Sequence, residues 1–425
     1  MGATVGIDFG TTNSSVALLT GGAVRLVSFP TLDGATTSSR SVVYLQRPRT
    51  GRRAVSVWTG PAAIEHYLAV EDQDEVQRRL VQSLKSHLSA RTLTGTEIFG
   101  RNYRLEELVA RMLTDLRLRA GEELGYPVTH AVVGRPVQFV GADNEADNDF
   151  ALTRLHAAFT LAGFQQVTFV PEPVAAAHAY GATLNHAETV LIGDFGGGTT
   201  DFSLLRIDPA ASNTCTVLGN AGVGLAGDAF DAKIVRYLIS PALGSDSMAR
   251  SLGKLLPALP AWTYANLERW HTLSFLRTRA VTELLRTIQL RALEPLKIAA
   301  LRNLIEADLG YRMHAAVGRL KIALSHNREA EFLLDTGTLH LQATVTRDTF
   351  EGWIAPELAR IRIALDTLMA AHPGVTVDRV FLTGGTSLVP AVRHIFTTRF
   401  GESQVRSGDA FTSVATGLAH MAARL

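Results

Sequence analysis

The sequence predicts a mixed α/β protein made of two related halves, and three observations carry that prediction. Short apolar runs of strand character alternate with stretches of helical periodicity along the chain. Some strand-like runs follow each other as hairpins and others are separated by a helix, so the sheets combine antiparallel and parallel strands. One hairpin pattern occurs twice, and a repeat of that kind marks two lobes of one design. Strand-like runs lie near 4–8, 15–19, 24–28, 129–134, 167–170, 189–194, 201–207, 214–218, 331–345 and 379–383. Helical periodicity covers about 61–88, 105–124, 146–162, 173–184, 228–239, 263–308, 311–325, 349–371, 389–399 and 409–424.

Composition narrows the function classes. With 425 residues the chain exceeds one ordinary domain, and 46% apolar residues supply a substantial core, so disorder is not expected. A net charge of +1 points neither to nucleic acid nor to an anionic membrane surface. The single cysteine, Cys215, excludes an internal disulfide framework and most cysteine-ligated metal sites. No run of about 18 apolar residues predicts a membrane span. The N-terminus reads as a strand and not as a leader, and a cytoplasmic location is expected. Only five of the 41 basic residues are lysines: Lys85, Lys233, Lys254, Lys297 and Lys321.

The repeated hairpin carries the chemistry. Its first copy is Val5-Gly6-Ile7-Asp8-Phe9-Gly10-Thr11-Thr12-Asn13-Ser14-Ser15, and its second is Leu191-Ile192-Gly193-Asp194-Phe195-Gly196-Gly197-Gly198-Thr199-Thr200-Asp201. A tight turn accounts for one or two glycines. Three in a row, Gly196 to Gly198, suit a backbone that approaches an anion with successive N–H groups. Thr11, Thr12, Thr199 and Thr200 add hydroxyls. Asp8 and Asp194 would repel phosphate unless a divalent cation lay between, and Mg²⁺ held largely through water meets that need. Asp194-Phe195-Gly196 also matches a kinase triplet, but the other kinase motifs and the P-loop are absent. Gly222-Val223-Gly224-Leu225-Ala226-Gly227 spells a dinucleotide fingerprint without the following parallel strand, and it reads as a decoy.

Three further segments suit a nucleotide. Val380 to Ser387 is a strand delivering Gly384-Gly385 onto a helix, with Ser387 at the N-cap position and Pro390 early in that helix. Glu172 opens a small-residue helix, where it serves either as a cap or to orient a water. Lys85 follows a run read as helical, and Lys321 lies in Arg319-Leu320-Lys321-Ile322-Ala323-Leu324-Ser325.

Taken in chain order, the Asp8 and Asp194 hairpins, Glu172-Pro173-Val174-Ala175-Ala176-Ala177 and Gly384-Gly385-Thr386-Ser387 resemble the nucleotide motifs of the seventy-kilodalton heat-shock chaperones of the DnaK type. The resemblance implies the actin-like ATPase fold, two ribonuclease-H-like lobes with a central nucleotide cleft. It implies ATP or ADP as ligand, with Mg²⁺, or K⁺ beside it, held by Asp8 and Asp194. By the same resemblance Gly10, Thr11, Thr12, Asn13, Gly196, Gly197, Gly198 and Thr199 cradle phosphates. Lys85, Glu172, Asp194, Thr199 and Asp201 are the catalytic group it implies, and Gly227, Lys321, Ser325, Gly384, Gly385 and Ser387 the remaining nucleotide contacts. Two positions depart from the family: Gly318 replaces a glutamate before Lys321, and Ile322 an arginine after it.

The organisation expected is lobe I at 1–187, lobe II at 188–408 with a helical insertion at about 241–312, and a C-terminal helix, 409–425, returning to lobe I. The insertion carries Trp262 and Trp270 and either covers an apolar lobe surface or docks an unknown protein partner. No peptide-binding domain is expected after residue 425, as in short YegD-like members. The function expected is a slowly hydrolysing, chaperone-like ATPase that switches conformation with its nucleotide. A nucleotide-gated scaffold or actin-like filament, and a small-molecule kinase, are the alternatives on the same fold.

Overall fold

The structure is a computed structural model, and it describes residues 3–32, 34–50, 54–69, 76–181, 184–210, 215–251, 253–269, 272–273, 276–407 and 414–423. Trp270 and part of the expected 409–425 helix lie outside these residues. Two compact units result: residues 1–224, 363–387 and 394–425 form the first, and 225–362 with 388–393 the second.

Two sheets of one topology organise the first unit. In the first, strand Ala3–Phe9 lies between parallel Val128–Arg135 and antiparallel Asn13–Thr20, with Gln166–Pro171 and Ala23–Leu26 outermost. The second repeats this order. Glu188–Phe195 lies between parallel Arg379–Thr383 and antiparallel Thr200–Ile207, with Val405–Ser407 and Cys215–Val223 outermost. The register repeats as well: Asp8 pairs with Ser15 and Phe9 with Ser14, while Asp194 pairs with Asp201 and Phe195 with Thr200. The central strands read as near-continuous apolar runs because both faces are covered; Val5, Ile7 and Phe9, like Val190, Leu191 and Ile192, are buried. Helix Val414–Ala422 crosses the first sheet closely. A Cβ on Gly6 would collide with the Ala419 backbone, and one on Gly417 with the Ala175 carbonyl of helix Glu172–Gly181.

The second unit begins with helix Gly227–Ile234, continued by a π-helical turn at Val235–Ile239. A ribbon of Met248–Ser251 and Lys254–Pro257 follows, then helices Ala261–Leu267, Arg279–Gln289, Pro295–Glu306 and Gly310–His326. Hairpin Glu329–Asp335 with His340–Thr346 leads into helix Arg347–Ala370.

Three expectations are corrected. The stretch 61–88 is helical only over Gly60–Leu68; Val76–Gln82 is a strand, and Lys85 lies in the short 3₁₀ turn Leu84–His87. The apolar residues Val76, Leu80 and Val81 of Val76-Gln77-Arg78-Arg79-Leu80-Val81-Gln82 fall at helical spacing, and pairing with strand Val42–Pro48 overrides it. The insertion is not wholly helical, since the ribbon occupies 248–257. Ser387 does not cap the helix Pro390–Phe400; its hydroxyl donates instead to the Gly384 carbonyl at 2.7 Å.

Candidate functional site

Both Asp-Phe-Gly hairpins end at one cluster of charged side chains in the first unit. Each Asp sits near the end of a buried central strand, and the following four residues, 10–13 or 196–199, turn the chain back. Lys85 reaches the same place from its 3₁₀ turn, and its Nζ donates to Glu172 Oε1 at 3.0 Å. Glu172 is therefore an ion-pair partner and more than a helix cap. Asp8, Asp194, Asp201 and Glu172 thus place four carboxylates around one lysine, Lys85. A small cavity opens beside Glu172, Asp194, Asp201 and Thr383, walled by Pro173 and Ile192.

The electrostatics follow from that imbalance. Burial, with repulsion from Glu172 and Asp194 against the attraction of Lys85, raises Asp8 to about 7. Asp194 rises to about 6 through burial and Glu172, opposed by a hydrogen bond from Thr383. Asp201 rises to about 7 through burial and Asp194, opposed by a bond from the Thr199 hydroxyl. Burial works against the charge on Lys85, but Glu172 and Asp8 outweigh it and hold the ammonium above its ordinary range. Strained protonation of this kind gathers where a cation or a reacting group is bound.

The hairpin glycines divide into two kinds. A Cβ on Gly10 would overlap the Asn13 carbonyl, so that turn needs glycine for its own closure. Gly384 has φ +81° and its Cβ would overlap the Phe195 carbonyl, so it too answers to the fold. Gly198 and Gly385 differ: neither has a positive φ, and a Cβ on either would meet nothing within 4 Å. Their bare backbone suits a ligand. The Thr12 hydroxyl agrees with this, for Oγ1 is buried and finds no hydrogen-bond partner among the described residues.

Residues that the sequence pattern did not single out hold these loops. Ser41 Oγ donates to the Gly10 carbonyl at 2.7 Å and lies 2.9 Å from Ser14 Oγ. Thr383 Oγ1 donates to Asp194 Oδ1 at 2.8 Å, and Thr386 Oγ1 to the Gly196 carbonyl at 3.3 Å. Thr383 was legible as the polar end of an apolar strand; Ser41 had no local signal. Gly222, first residue of the decoy fingerprint, pairs with Asp201, and its Cβ would lie 2.8 Å from Asp201 Oδ1. That glycine makes room for a carboxylate.

Gly227, Lys321 and Ser325 lie in the second unit. Lys321 Nζ is 2.8 Å from Asp231 and donates to the Gly227 carbonyl at 3.2 Å. Ser325 donates to the Lys321 carbonyl, inside its own helix. Beside them Gly318 faces open space and Ile322 is 62% exposed.

The Hsp70 protein family profile matches residues 4–248 and 305–425, which include both hairpins, Lys85, Glu172 and the Gly384-Gly385 turn. This chain belongs to the Hsp70 family. Its fold is the actin-like ATPase fold of that family. The chaperone protein dnaK of Gracilaria tenuistipitata var. liui is 26% identical over 430 aligned residues, which cover 99% of this chain and 60% of the relative. The chain therefore spans about three fifths of that relative's length. Residues 249–304, outside the Hsp70 match, comprise most of the ribbon and the three helices after it.

The site residues fit Mg²⁺. The donors are hard carboxylate oxygens, and the buried negative charge exceeds what Lys85 neutralises. No group of three or more potential ligands converges on one point among the described residues. That suits an ion held by Asp8 and Asp194 mainly through water and phosphate oxygens, as Mg²⁺ prefers. Among the described residues no helix is long and apolar enough to cross a membrane.

Proposed function

We propose that this Hsp70-family protein binds ATP with Mg²⁺, hydrolyses it slowly, and uses the nucleotide as a chaperone-like conformational switch. The observation that carries this reading is four carboxylates gathered around one lysine beneath two Gly-Thr hairpins of identical register. The backbone N–H groups at 10–13 and 197–199, with the Thr12 hydroxyl, receive phosphate oxygens, while the Gly196 N–H closes its turn on the Thr199 carbonyl at 3.0 Å. Asp8 and Asp194 would hold Mg²⁺, which would supply neutralising charge to those oxygens. Lys85 adds a compact point charge and is held in place by Glu172. Asp201, raised to about 7, is partly ionised at neutral pH and accepts a proton from an attacking water, while Glu172 orients that water. Thr199 tunes the base through its bond to Asp201. Gly385 and Gly198 leave the backbone bare for the ligand.

Isothermal titration with ATP and ADP, with and without Mg²⁺, tests the reading. Mg²⁺-dependent binding of both is expected, and its loss in Lys85→Ala combined with Thr199→Val. A flat titration together with no ATP-induced thermal shift would refute it.

A further inference from the structure

Exposed apolar side chains are unevenly spread. Among the described residues, six of the eighteen exposed large hydrophobic side chains fall within 249–304, the stretch outside the Hsp70 match. They are Leu255, Leu256, Trp262, Leu290, Leu293 and Leu296, and Leu290 and Leu296 are 88% and 83% exposed. A third of the apolar exposure in so short a stretch is more than scattered surface leucines provide.

The ribbon arranges several of these on one face. Met248–Ser251 pairs with Lys254–Pro257 on one side, Ala249 opposite Leu256 and Arg250 opposite Leu255. On its other side Ala249 bridges Ala292, the Arg250 N–H donates to the Arg291 carbonyl at 3.0 Å, and the Leu293 N–H donates to the Met248 carbonyl at 2.8 Å. Three strand-like segments therefore lie side by side. Ala249 is buried and shares one face of the pleat with Ala292 and with Leu256, which stays 49% exposed at the outer strand. The opposite face presents Leu255, Leu293, Arg250 and Arg291, all exposed.

Charge selects the occupant. Residues 241–312 carry ten Lys and Arg against six Asp and Glu, while the whole chain is only +1. Every one of those six acids is in an ion pair: Asp246 and Glu294 with Lys297, Glu268 with Arg236, Glu283 and Glu306 with Arg286, and Asp308 with Arg277. Arg250, Lys254 and Arg291 have no ion pair among the described residues. Lys254 is also the one lysine of the five without such a partner there, since Lys85, Lys233, Lys297 and Lys321 each have one. Leucines rimmed by uncompensated cations complement a segment that is both apolar and acidic.

We infer that the outer face of this ribbon, built from Leu255, Leu293, Arg250 and Arg291, docks an acidic, leucine-containing segment of a partner protein. Leucines of the segment pack on Leu255 and Leu293, and its carboxylates meet Arg250 and Arg291. The guanidinium groups suit bidentate carboxylate contacts. The proposal is independent of nucleotide chemistry.

Fluorescence anisotropy of the full chain with a short labelled peptide of alternating glutamate and leucine tests it. Binding roughly tenfold tighter than that of the lysine–leucine counterpart is expected, weakening as salt rises. Arg250→Glu with Arg291→Glu should reduce affinity roughly tenfold or more. Leu255→Ser with Leu293→Ser, which leaves every charge in place, should weaken binding comparably; this separates the site from unspecific attraction. Both double variants alter exposed side chains, so unchanged thermal unfolding is expected to accompany the loss. Equal binding of the two peptides, an unaffected serine variant, or no binding would overturn the inference. So would binding to phosphatidylserine vesicles in place of the peptide, or self-association that the serine variant abolishes.

Discussion

The two units treat buried charge in opposite ways. In the first, four carboxylates share one lysine, and three of them are pushed to about 6 or 7. In the second, the less exposed acids sit in simple pairs: Lys233 with Glu357 at 3.0 Å, Lys321 with Asp231 at 2.8 Å, Arg236 with Glu268 at 2.7 Å. Matched pairs satisfy the fold and ask for nothing further. An unmatched cluster is unfavourable unless something else arrives, which is why it is the proposed ligand site. On the surface ribbon of the second unit Arg250, Arg291 and Lys254 have no ion pair among the described residues, and there the unmatched sign is positive.

The sharpest way to break this contrast is to remove a lysine from each unit. Lys85→Ala should lower single-turnover ATP hydrolysis roughly a hundredfold or more, because among the described residues Lys85 is the one cation acting on Asp8, Asp194 and Asp201. Lys233→Ala should leave turnover within about twofold yet lower stability by roughly 1–3 kcal/mol in urea denaturation, since the largely buried Glu357 loses its ion-pair partner. Equal kinetic losses in both would mean that the units do not differ in the way their charges suggest.

The next largest effect concerns pH. Asp8, Asp194 and Asp201 have folded-state values raised above the ordinary 3.8, so protonation favours the ligand-free fold. Their contribution is complete below about 4 and is lost as pH rises through 6 to 7. Asp194→Asn should therefore stabilise the ligand-free protein above pH 7 by on the order of 1–2 kcal/mol, and change it little near pH 4. Thermal unfolding across that range checks the slope, and added Mg²⁺ should stabilise the parent protein but not the variant.

His314 in the second unit should show the opposite slope. Burial lowers it from 6.5 to about 4, against Asp231 and a bond to the Leu267 carbonyl, with Lys321 adding to the depression. The unfolded chain takes up a proton near 6.5 that the folded one refuses, so stability present above 6.5 is lost as pH falls toward 4. His314→Gln should flatten that limb by about 1 kcal/mol. The smallest effect expected is that of Thr383→Val, which removes the bond to Asp194. A several-fold fall in turnover, recovered by Thr383→Ser, would assign Thr383 to positioning.

Much of this was legible residue by residue, and the failures have physical causes. The hairpins were readable because a Gly turn between two apolar strands is local chemistry. Even their shared register follows, since Asp8 and Ser15 stand where Asp194 and Asp201 stand. The strand Val76–Gln82 was not readable, because its identity comes from pairing with Val42–Pro48 and not from its own periodicity. The ribbon at 248–257 fell between two stretches of helical periodicity and was counted into a helical insertion; its strands too come from pairing. Gly10 and Gly198 looked alike in sequence, and only the surrounding atoms separate the glycine that closes a turn from the one left bare.

By itself the sequence determined the α/β class, the duplicated hairpin and the residue types able to handle phosphate and Mg²⁺. Those are properties of short segments, set by glycine, apolar alternation and strand-end carboxylates. Tertiary structure decided what those residues become. It brings Lys85 onto Glu172, 87 positions away, raises three aspartates by burying them together, and ties Asp194 to Thr383. It also turns Leu255, Leu293, Arg250 and Arg291 to one side of a ribbon. Desolvation, repulsion and close approach depend on atoms far apart in the chain, so no local pattern contains them.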